Sequence, residues 1–118
     1  MINKIYYLST CSTCQRIMNE LGIDETFKQQ DIKAENINEA DLDAFAEQAG
    51  SYEALFSKRA MKYKSMGLKE KNLSEENYKQ LMLDEYTFLK RPFILIDGVA
   101  FIGNAKKTIE AAKTKLGL

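Results

Sequence analysis

The feature that most constrains the fold is a hairpin pattern near the C-terminal end of the chain. Asp97-Gly98 stands between two short apolar runs, Phe93–Ile96 and Val99–Ile102. An Asp-Gly pair between two apolar runs is the strongest short-range signal for a two-residue turn. The pattern therefore predicts two antiparallel strands that lie side by side in one sheet.

The first third of the chain carries strand and helix signals in alternation. Residues 4–8, a short β-branched and aromatic run between polar neighbours, predict a buried strand. A helix is predicted to follow directly, with Ser12 or Thr13 as its N-cap and Gly22 closing it. Residues 26–32 alternate weakly and predict a second strand at or near a sheet edge. The chain therefore opens as strand, helix, strand.

Residues 39–88 are predicted to form a helical insertion. Its first helix follows Asn38 or Asn36, and a second helical stretch covers residues 51–66, with a break near residues 58–60 left open. The side chains of this second stretch that are predicted to pack inward are Tyr52, Leu55, Phe56, Met61 and Tyr63.

The order of elements predicts one architecture for the whole chain. Strand, helix and strand are followed by the insertion, the hairpin and a last helix, of which Ile109, Ala112 and Leu116 face inward. Parallel strands joined by a right-handed crossover, with a terminal hairpin and a covering helix, describe an α/β thioredoxin-like fold with a mixed four-stranded sheet. At 118 residues and 45% hydrophobic content, the chain is long enough for one such domain over residues 1–118 and too short for two.

Composition excludes histidine-based catalysis and structural zinc sites and disfavours direct nucleic-acid binding. Lysine plus arginine and aspartate plus glutamate both number 17, so the charge expected of a direct nucleic-acid binder is missing. The chain has no histidine, which removes histidine-based triads and histidine-ligated zinc, and two cysteines cannot close a structural zinc site. No signal peptide or transmembrane run is visible, and we expect a cytoplasmic monomer without membrane contact.

Both cysteines lie in one C-x-x-C motif, Cys11-Ser12-Thr13-Cys14, directly after the first predicted strand. A thiol at the start of a helix lies beside unpaired backbone N–H groups and the positive end of the helix dipole, which favour the thiolate. Cys11 is therefore the expected nucleophile, and Cys14, one helical turn on, is the expected resolving thiol. In a reducing compartment such a pair is redox-active or unreactive, and its position after a strand favours redox activity.

The sole proline, Pro92, lies just before the hairpin. In a thioredoxin-like fold the equivalent proline is cis and faces the active-site cysteine, so we predict a cis Arg91–Pro92 bond; the alternative is an ordinary trans proline that starts a strand. Arg91 would then project near the thiols and could hold an oxyanion or a thiolate. Arg16 could also lower a thiolate pKa or be solvated, and Lys58-Arg59 belongs to a basic segment that is either a solvated face or a lip beside the thiol. The candidate anion- or substrate-binding residues are Arg91, Arg59, Ser12 and Thr13.

Four stretches of the chain form a specific combination. They are the opening IYYLSTCSTCQR, two stretches within the insertion, LFSKR and MGL, and the LKRPFIL that leads into the hairpin. Together they resemble the ArsC/Spx family of arsenate reductase-like proteins. The resemblance covers nearly the whole chain, and the helical insertion and the Arg-Pro before the hairpin are features of this branch of the thioredoxin fold.

The resemblance implies two kinds of function. The family contains glutaredoxin-coupled arsenate reductases, in which a cysteine at the first helix attacks arsenate held by arginines and glutathione resolves the adduct. It also contains Spx-type regulators, which carry a C-x-x-C redox switch and bind the C-terminal domain of the RNA polymerase α subunit. By position, Cys11 matches the nucleophile and Arg91 the arginine before the cis-proline. Cys14 matches the second cysteine of the Spx-type switch, which arsenate reductases generally lack.

Two positions depart from the arsenate reductase pattern. Ser57 stands where those enzymes place an arginine, and Gly103-Asn104 stands where a third arsenate-binding arginine is expected. The resemblance therefore implies a thiol-dependent oxidoreductase of the arsenate reductase-like class that acts on a small oxidised substrate or an oxyanion. Glutathione, glutaredoxin or thioredoxin is the expected reductant, and no bound cofactor is expected. The alternative is an Spx-like redox switch that binds the RNA polymerase α subunit.

Overall fold

The computed structural model describes residues 3–118, which divide into two compact units. One unit combines Met1–Glu35, of which residues 3–35 are described, with Arg91–Leu118, and the other is Asn36–Lys90. The second unit coincides closely with the insertion predicted at residues 39–88, while the assignment of the whole chain to one domain stays a prediction.

The helices and strands of the described residues follow the predicted order. The strands are β1 (Asn3–Tyr7), β2 (Phe27–Asp31), β3 (Phe93–Ile96) and β4 (Val99–Ile102). The α-helices are α1 (Ser12–Glu20), α2 (Glu39–Ala49), α3 (Met61–Ser65), α4 (Glu75–Asp84) and α5 (Lys106–Leu116). Single 3₁₀ turns occupy Glu53–Leu55, Leu68–Glu70 and Tyr86–Phe88. Across residues 3–118, no helix has the length and apolar character needed to cross a bilayer.

The first unit is built on a mixed sheet of four strands in the order β2-β1-β3-β4. β1 is parallel to β2 and antiparallel to β3, and β3 is antiparallel to β4. Helix α1 provides the crossover that a parallel pair of strands requires. The topology confirms the predicted thioredoxin-like arrangement, and β2 lies at the edge of the sheet as expected.

The predicted hairpin between β3 and β4 is also confirmed. Asp97 and Gly98 both have positive φ angles, 49° and 80°. Two positive φ angles in succession define the turn whose twist matches that of the flanking strands, and Asp-Gly tolerates them better than most pairs. The turn fixes the register, in which Ile96 lies opposite Val99 and Phe93 lies opposite Ile102.

The sheet and the helices α1 and α5 share one apolar core. Ile5 of β1 and Ile94 of β3 lie opposite each other and are fully buried, as is Ile17 of α1. Full burial of one such side chain contributes about 1.5–3 kcal/mol to folding. An ion pair of 2.8 Å between Lys113 and Glu20 also joins α5 to α1. The core therefore fixes α1, and with it the cysteines at its start, against the sheet. The buried members of the core are Ile5, Ile17, Met18, Leu21, Phe27, Ile94, Ile96, Ile109 and Ala112, and the predicted Leu116 packs against them partly buried.

Side-chain caps define the start of two helices of the second unit, α2 and α4. The Asn38 side chain accepts the Asp41 N–H at 2.8 Å, so this residue is the N-cap of α2. At the start of α4, Ser74 Oγ accepts the Asn77 N–H at 3.2 Å, and Asn77 Oδ1 accepts the Ser74 N–H at 3.0 Å. This reciprocal pair is a capping box in which asparagine takes the place of the usual glutamate.

The helical stretch predicted over residues 51–66 is broken near residues 58–60, as one of the two alternatives expected, and the break begins earlier, at Phe56. Phe56 is extended and forms an isolated antiparallel bridge with Leu89, so the helical signal is interrupted before α3. The ring of Phe56 stacks on Phe88 and meets Tyr78 edge-on, with centroid distances of 4.9 Å in both pairs. Burial of this ring and the backbone pairing beside it override the weak helix propensity of the segment.

The prediction that Met61 packs inward is wrong, since 87% of this residue is exposed. Helix α3 begins at Met61, and the preceding Ala60 is buried. Tyr63 is directed toward the aromatic cluster, with its ring centroid 5.9 Å from that of Phe56. Because successive residues of a helix are about 100° apart, the side that carries Tyr63 leaves Met61 directed outward.

Candidate functional site

The two cysteines lie at the junction of β1 and α1, in the first unit. The Cys11 N–H donates to the Leu8 carbonyl at 3.0 Å, which turns the chain after β1. Cys11 has extended backbone angles (φ −97°, ψ 112°) and is the N-cap of α1. The prediction that Ser12 or Thr13 caps this helix is wrong, because both residues already lie within α1 and the N-cap forms no side-chain hydrogen bond.

Cys11 is half-buried, and its thiol has a pKa below the usual value of 9.0. Loss of hydration is the largest single effect and raises this pKa, but the other interactions together outweigh it. The sulfur accepts hydrogen bonds from the backbone N–H groups of Cys14 and Thr13 and from the Cys14 thiol, and the positive charge of Arg91 acts in the same direction. Each of these interactions stabilises the thiolate. Cys11 is therefore the more readily ionised thiol of the two.

Cys14 lies one turn on in α1, and its side chain is fully buried. Burial raises the pKa of the Cys14 thiol to about 11, and the negative charge of Cys11 adds to the effect. A backbone hydrogen bond with Leu8 and the charge of Arg91 oppose this rise without cancelling it. Both cysteines are free thiols. The site thus combines one thiol that ionises easily with a second that keeps its proton, which suits successive attack and resolution.

Arg91 and Pro92 reach the site from the residues directly before β3. The Arg91–Pro92 peptide bond is cis, as predicted. Pro92 is buried, and its carbonyl accepts the Gly103 N–H at 2.9 Å. Arg91 is half-buried, and its charge lowers the pKa of both thiols. The structure therefore brings Arg91 to the cysteines, as the sequence predicts.

Asp31 contributes to the site and is absent from the residues predicted from sequence. It is the last residue of β2 and lies opposite Tyr7 in the parallel pairing with β1. Its carboxylate accepts the N–H of Ser9 at 3.2 Å and that of Lys33 at 3.1 Å. A hydrogen bond from the Ser9 side chain is the largest cause that lowers the pKa of Asp31. Asp31 therefore holds the loop before Cys11, and the signal that could have identified it is an acidic residue at the carboxyl end of a strand parallel to β1.

The remaining predicted residues are placed as follows. Arg16 pairs with Glu20 one helical turn further along α1, at 3.5 Å. Ser12 is exposed and Thr13 is half-buried in the first turn of α1. Arg59 is exposed and belongs to the second unit, so its role in anion binding stays a prediction. Among residues 3–118, no group of cysteine, aspartate and glutamate side chains is arranged to hold a metal ion.

Comparisons with known proteins place this site in a family context. The model of the ArsC family matches residues 6–112. No curated protein sequence matches the chain. The class supported by the family match is that of thiol-dependent oxidoreductases.

Solved structures of similar proteins support the fold. A protein from Bacteroides fragilis described as related to the ArsC family has a TM-score of 0.78 at 22% identity, covering 95% of this chain and 98% of that chain. An arsenate reductase related protein from Brucella melitensis has a TM-score of 0.68 at 24% identity, covering 94% and 93%. An arsenate reductase from Vibrio cholerae has a TM-score of 0.71 at 20% identity, covering 93% of each chain. At these identities the likeness shows the fold.

Proposed function

The chain belongs to the ArsC family, and from that premise we propose that it is a thiol-dependent oxidoreductase of the arsenate reductase-like class with Cys11 as its nucleophile. The observation that carries the proposal is the contrast between the two thiols. Cys11 has a lowered pKa, whereas Cys14, one turn on, has a pKa of about 11. Such a pair separates attack from resolution, because only one thiol is readily ionised at the start.

In the first step, the Cys11 thiolate attacks the oxidised centre of the substrate. With a disulfide, Cys11 Sγ bonds to one substrate sulfur, the substrate S–S bond breaks, and the other sulfur leaves as a thiolate that takes a proton from water. With an oxyanion such as arsenate, Sγ bonds to the central atom, the bond from that atom to one hydroxyl oxygen breaks, and this oxygen takes a proton from solvent and leaves as water. The backbone N–H groups of Thr13 and Cys14 and the guanidinium of Arg91 are the groups that would stabilise negative charge in this step.

In the second step, Cys14 resolves the intermediate. Its thiol loses a proton to solvent, and its sulfur bonds to Cys11 Sγ. With a disulfide substrate, the substrate sulfur leaves with the bonding electron pair and is protonated. With arsenate, the S–As bond breaks, arsenic keeps the electron pair, and arsenite leaves. Once Cys11 carries the substrate, it no longer bears the negative charge that raises the pKa of Cys14, whereas the favourable charge of Arg91 remains. Ionisation of Cys14 therefore becomes easier when it is needed.

Glutathione is the alternative resolving thiol, and it would attack the same intermediate from solution. By either route, two electrons pass from two thiols to the substrate, and a disulfide is left behind. We propose that glutathione with glutaredoxin, or thioredoxin, returns the enzyme to its reduced state.

A small disulfide is better supported as the substrate than arsenate. Ser57 and Asn104 are neutral at the two positions where the family resemblance places further arsenate-binding arginines. An oxyanion such as arsenate, which is a mono- or dianion at neutral pH, is normally held by several bidentate arginine contacts. A small disulfide is uncharged at its reacting sulfurs and requires only that the leaving thiolate be stabilised, for which Arg91 is suitably placed.

Turnover tests the proposal directly. NADPH consumption measures the reduction of arsenate and of a small dialkyl disulfide in two coupled assays. One assay contains glutathione, glutaredoxin and glutathione reductase. The other contains thioredoxin and thioredoxin reductase. We expect the parent to turn over at least one substrate, and Cys11→Ser to fall to the background rate. Cys14→Ser should keep its activity only in the assay that contains glutathione. Absence of turnover by the parent in every combination, or parental rates in Cys11→Ser, would contradict the proposal.

The second candidate function is an Spx-like redox switch, and the observation that favours it is Cys14 itself, a free thiol one turn from Cys11. Oxidation would then form the Cys11–Cys14 disulfide and change the affinity for the C-terminal domain of the RNA polymerase α subunit, without turnover. Pull-down of that domain by oxidised and reduced protein, with Cys11→Ser as the control, tests this alternative. Equal binding or no binding in the two redox states would remove it.

A further inference from the structure

The loop between β1 and α1 is held on both sides through Ser9, which lies two positions before Cys11. The Ser9 N–H donates to Asp31 Oδ1 at 3.2 Å, and the Ser9 hydroxyl donates to the same carboxylate. The Ser9 carbonyl accepts a hydrogen bond from Gln15 Nε2 at 3.5 Å. Asp31 ends β2, and Gln15 directly follows Cys14 in α1. Ser9 is therefore bound both to the edge strand and to the helix that carries the thiols.

Leu8, the residue before Ser9, is buried and contacts both thiol residues through its backbone. Its carbonyl accepts the Cys11 N–H at 3.0 Å. Its N–H donates to the Cys14 sulfur, which opposes the rise in the pKa of that thiol. The backbone of Leu8 is thus a support that the two cysteines share.

A single peptide unit connects Asp31 with Cys11. The Ser9 N–H and the Leu8 carbonyl belong to the same planar unit, and in a trans peptide they point in opposite directions. Asp31 accepts the N–H on one side, and the carbonyl on the other side accepts the Cys11 N–H. Because the unit is rigid, a rotation that breaks the first hydrogen bond also weakens the second. The Asp31 carboxylate therefore sets the orientation of the unit that supports Cys11.

The conformation of Asp31 is itself fixed by its neighbours. Its Oδ1 also accepts the Lys33 N–H at 3.1 Å, and its main-chain carbonyl accepts the Glu35 N–H at 2.9 Å. The next residue, Ile32, donates its N–H to the Tyr7 carbonyl at 2.9 Å. A support whose own conformation is locked can hold a reactive group within the narrow range of geometry that a reaction requires.

We propose that Asp31 is a positioning residue for resolution, because it fixes the peptide unit that sets the placement of Cys11 relative to Cys14. The inference rests on the proposed function, in which Cys14 resolves the intermediate. Resolution is a reaction between two groups of one chain, and such a reaction loses rate steeply when the groups are misplaced. The first attack is less sensitive, because the substrate arrives from solution and the groups that lower the pKa of Cys11 belong to α1 and Arg91.

A chromogenic aromatic disulfide, dithiobis(nitrobenzoate), times the two steps separately in the full chain. The Cys11 thiolate bonds to one sulfur of the reagent, the reagent S–S bond breaks, and one coloured thionitrobenzoate leaves. Cys14 then loses its proton to solvent and bonds to Cys11 Sγ, and the second thionitrobenzoate leaves with the electron pair. The rate of the first release should rise with reagent concentration, whereas that of the second should not. In Cys14→Ser only the first release should remain.

Two variants of Asp31 separate its hydrogen bonds from its charge. Asp31→Ala should slow the second release about tenfold and change the first less than about twofold. Asp31→Asn loses the charge but keeps an oxygen that accepts the Ser9 N–H, so its second release should stay within about threefold of the parental rate. Asp31 is half-buried at the end of an edge strand, and circular dichroism checks that both variants fold.

Asp24 offers a matched control at the opposite end of β2. Its carboxylate accepts the N–H and the hydroxyl of Thr26, at 2.9 Å and 2.7 Å, which are the same two groups that Ser9 presents to Asp31. Thr26 directly precedes β2, whereas Asp31 is its last residue. Asp24→Ala therefore removes an equivalent pair of hydrogen bonds away from the thiols, and both of its releases should match those of the parent.

Four results would overturn the inference. A parental second release in Asp31→Ala would do so and leave the proposed function intact. Equal slowing of both releases, or equal slowing in Asp24→Ala, would show a general loss of stability. A second release as slow in Asp31→Asn as in Asp31→Ala would assign the effect to charge or proton transfer. A parent that releases only one thionitrobenzoate would contradict the resolving role of Cys14 in the proposed function, and the inference with it.

Discussion

The reactivity of Cys14 gives the most quantitative test of the site. In Cys11→Ser, Cys14 is the chain's only cysteine, so its alkylation by iodoacetamide is measured without interference. Its side chain is fully buried, and burial is the largest cause of its raised pKa of about 11. The substitution removes the charge of Cys11 but leaves the burial in place. The thiol should therefore remain protonated at neutral pH.

The expected rate follows from two opposing effects. At the parent's pKa of about 11 in place of 9.0, the thiolate fraction at pH 7 is lower by about a hundredfold, and this is the upper limit for Cys11→Ser because the charge of Cys11 no longer raises the pKa. A thiolate of higher pKa is intrinsically more nucleophilic, by about eightfold for this difference if the Brønsted coefficient is about 0.45. Together they predict that ionisation slows alkylation by at most about tenfold relative to an unfolded cysteine at pH 7, and steric protection by the core slows it further.

Mass spectrometry of the quenched reaction measures this rate, with the same variant in concentrated urea as the unfolded reference. We expect the folded rate to rise about tenfold per pH unit and to level off above 9.0, because burial, the largest cause of the raised pKa, remains. Cys14→Ser reports on Cys11, whose rate should level off below 9.0 because its pKa is lowered. A folded Cys14 that reacts within about threefold of the unfolded reference at pH 7, or whose profile levels off below 9.0, would refute the reasoning on burial.

Three further predictions concern charge, the loop before the thiol and the second unit. Arg91→Gln should raise the pKa of Cys11, because it removes a positive charge that stabilises the thiolate; thiolate absorbance against pH measures this, and an unchanged pKa would exclude that role. Asp31→Ala should destabilise the fold by about 1 kcal/mol and speed hydrogen exchange at the Ser9 amide, which loses its acceptor; unchanged exchange would show that Asp31 does not hold the loop. Phe56→Ala should cost about 3–5 kcal/mol in urea unfolding, since it removes a buried ring in contact with other aromatic rings; a loss below about 1 kcal/mol would disprove this account of the insertion.

The local features of the chain were predictable from sequence because neighbouring residues determine them. The turn at Asp97-Gly98 requires two positive φ angles, and these residue types supply them. The alternation of strand and helix signals around the C-x-x-C motif likewise placed Cys11 at the start of a helix, where backbone N–H groups are unpaired. The fold and the identity of the nucleophile candidate therefore follow from short-range patterns.

The exact start of a helix and the backbone conformation within a segment were less predictable, because neighbouring residues allow more than one cap or conformation. Cys11 itself, and neither Ser12 nor Thr13, occupies the N-cap of α1. Helical propensity over residues 51–66 competed with the burial of Phe56, and the ring contacts decided the backbone. The outward position of Met61 is a consequence of the same rearrangement, since α3 begins only after the extended segment.

The sequence by itself determined the order of strands and helices, the hairpin and the position of both thiols along the chain. Only the tertiary structure decided how different the two thiols are, because burial sets the pKa of Cys14 and the distant Arg91 contributes to that of Cys11. Only the parallel pairing of β1 with β2 brings Asp31 to Ser9, 22 positions away. Desolvation and long-range contacts depend on where the folded chain meets itself, and no local pattern encodes that directly.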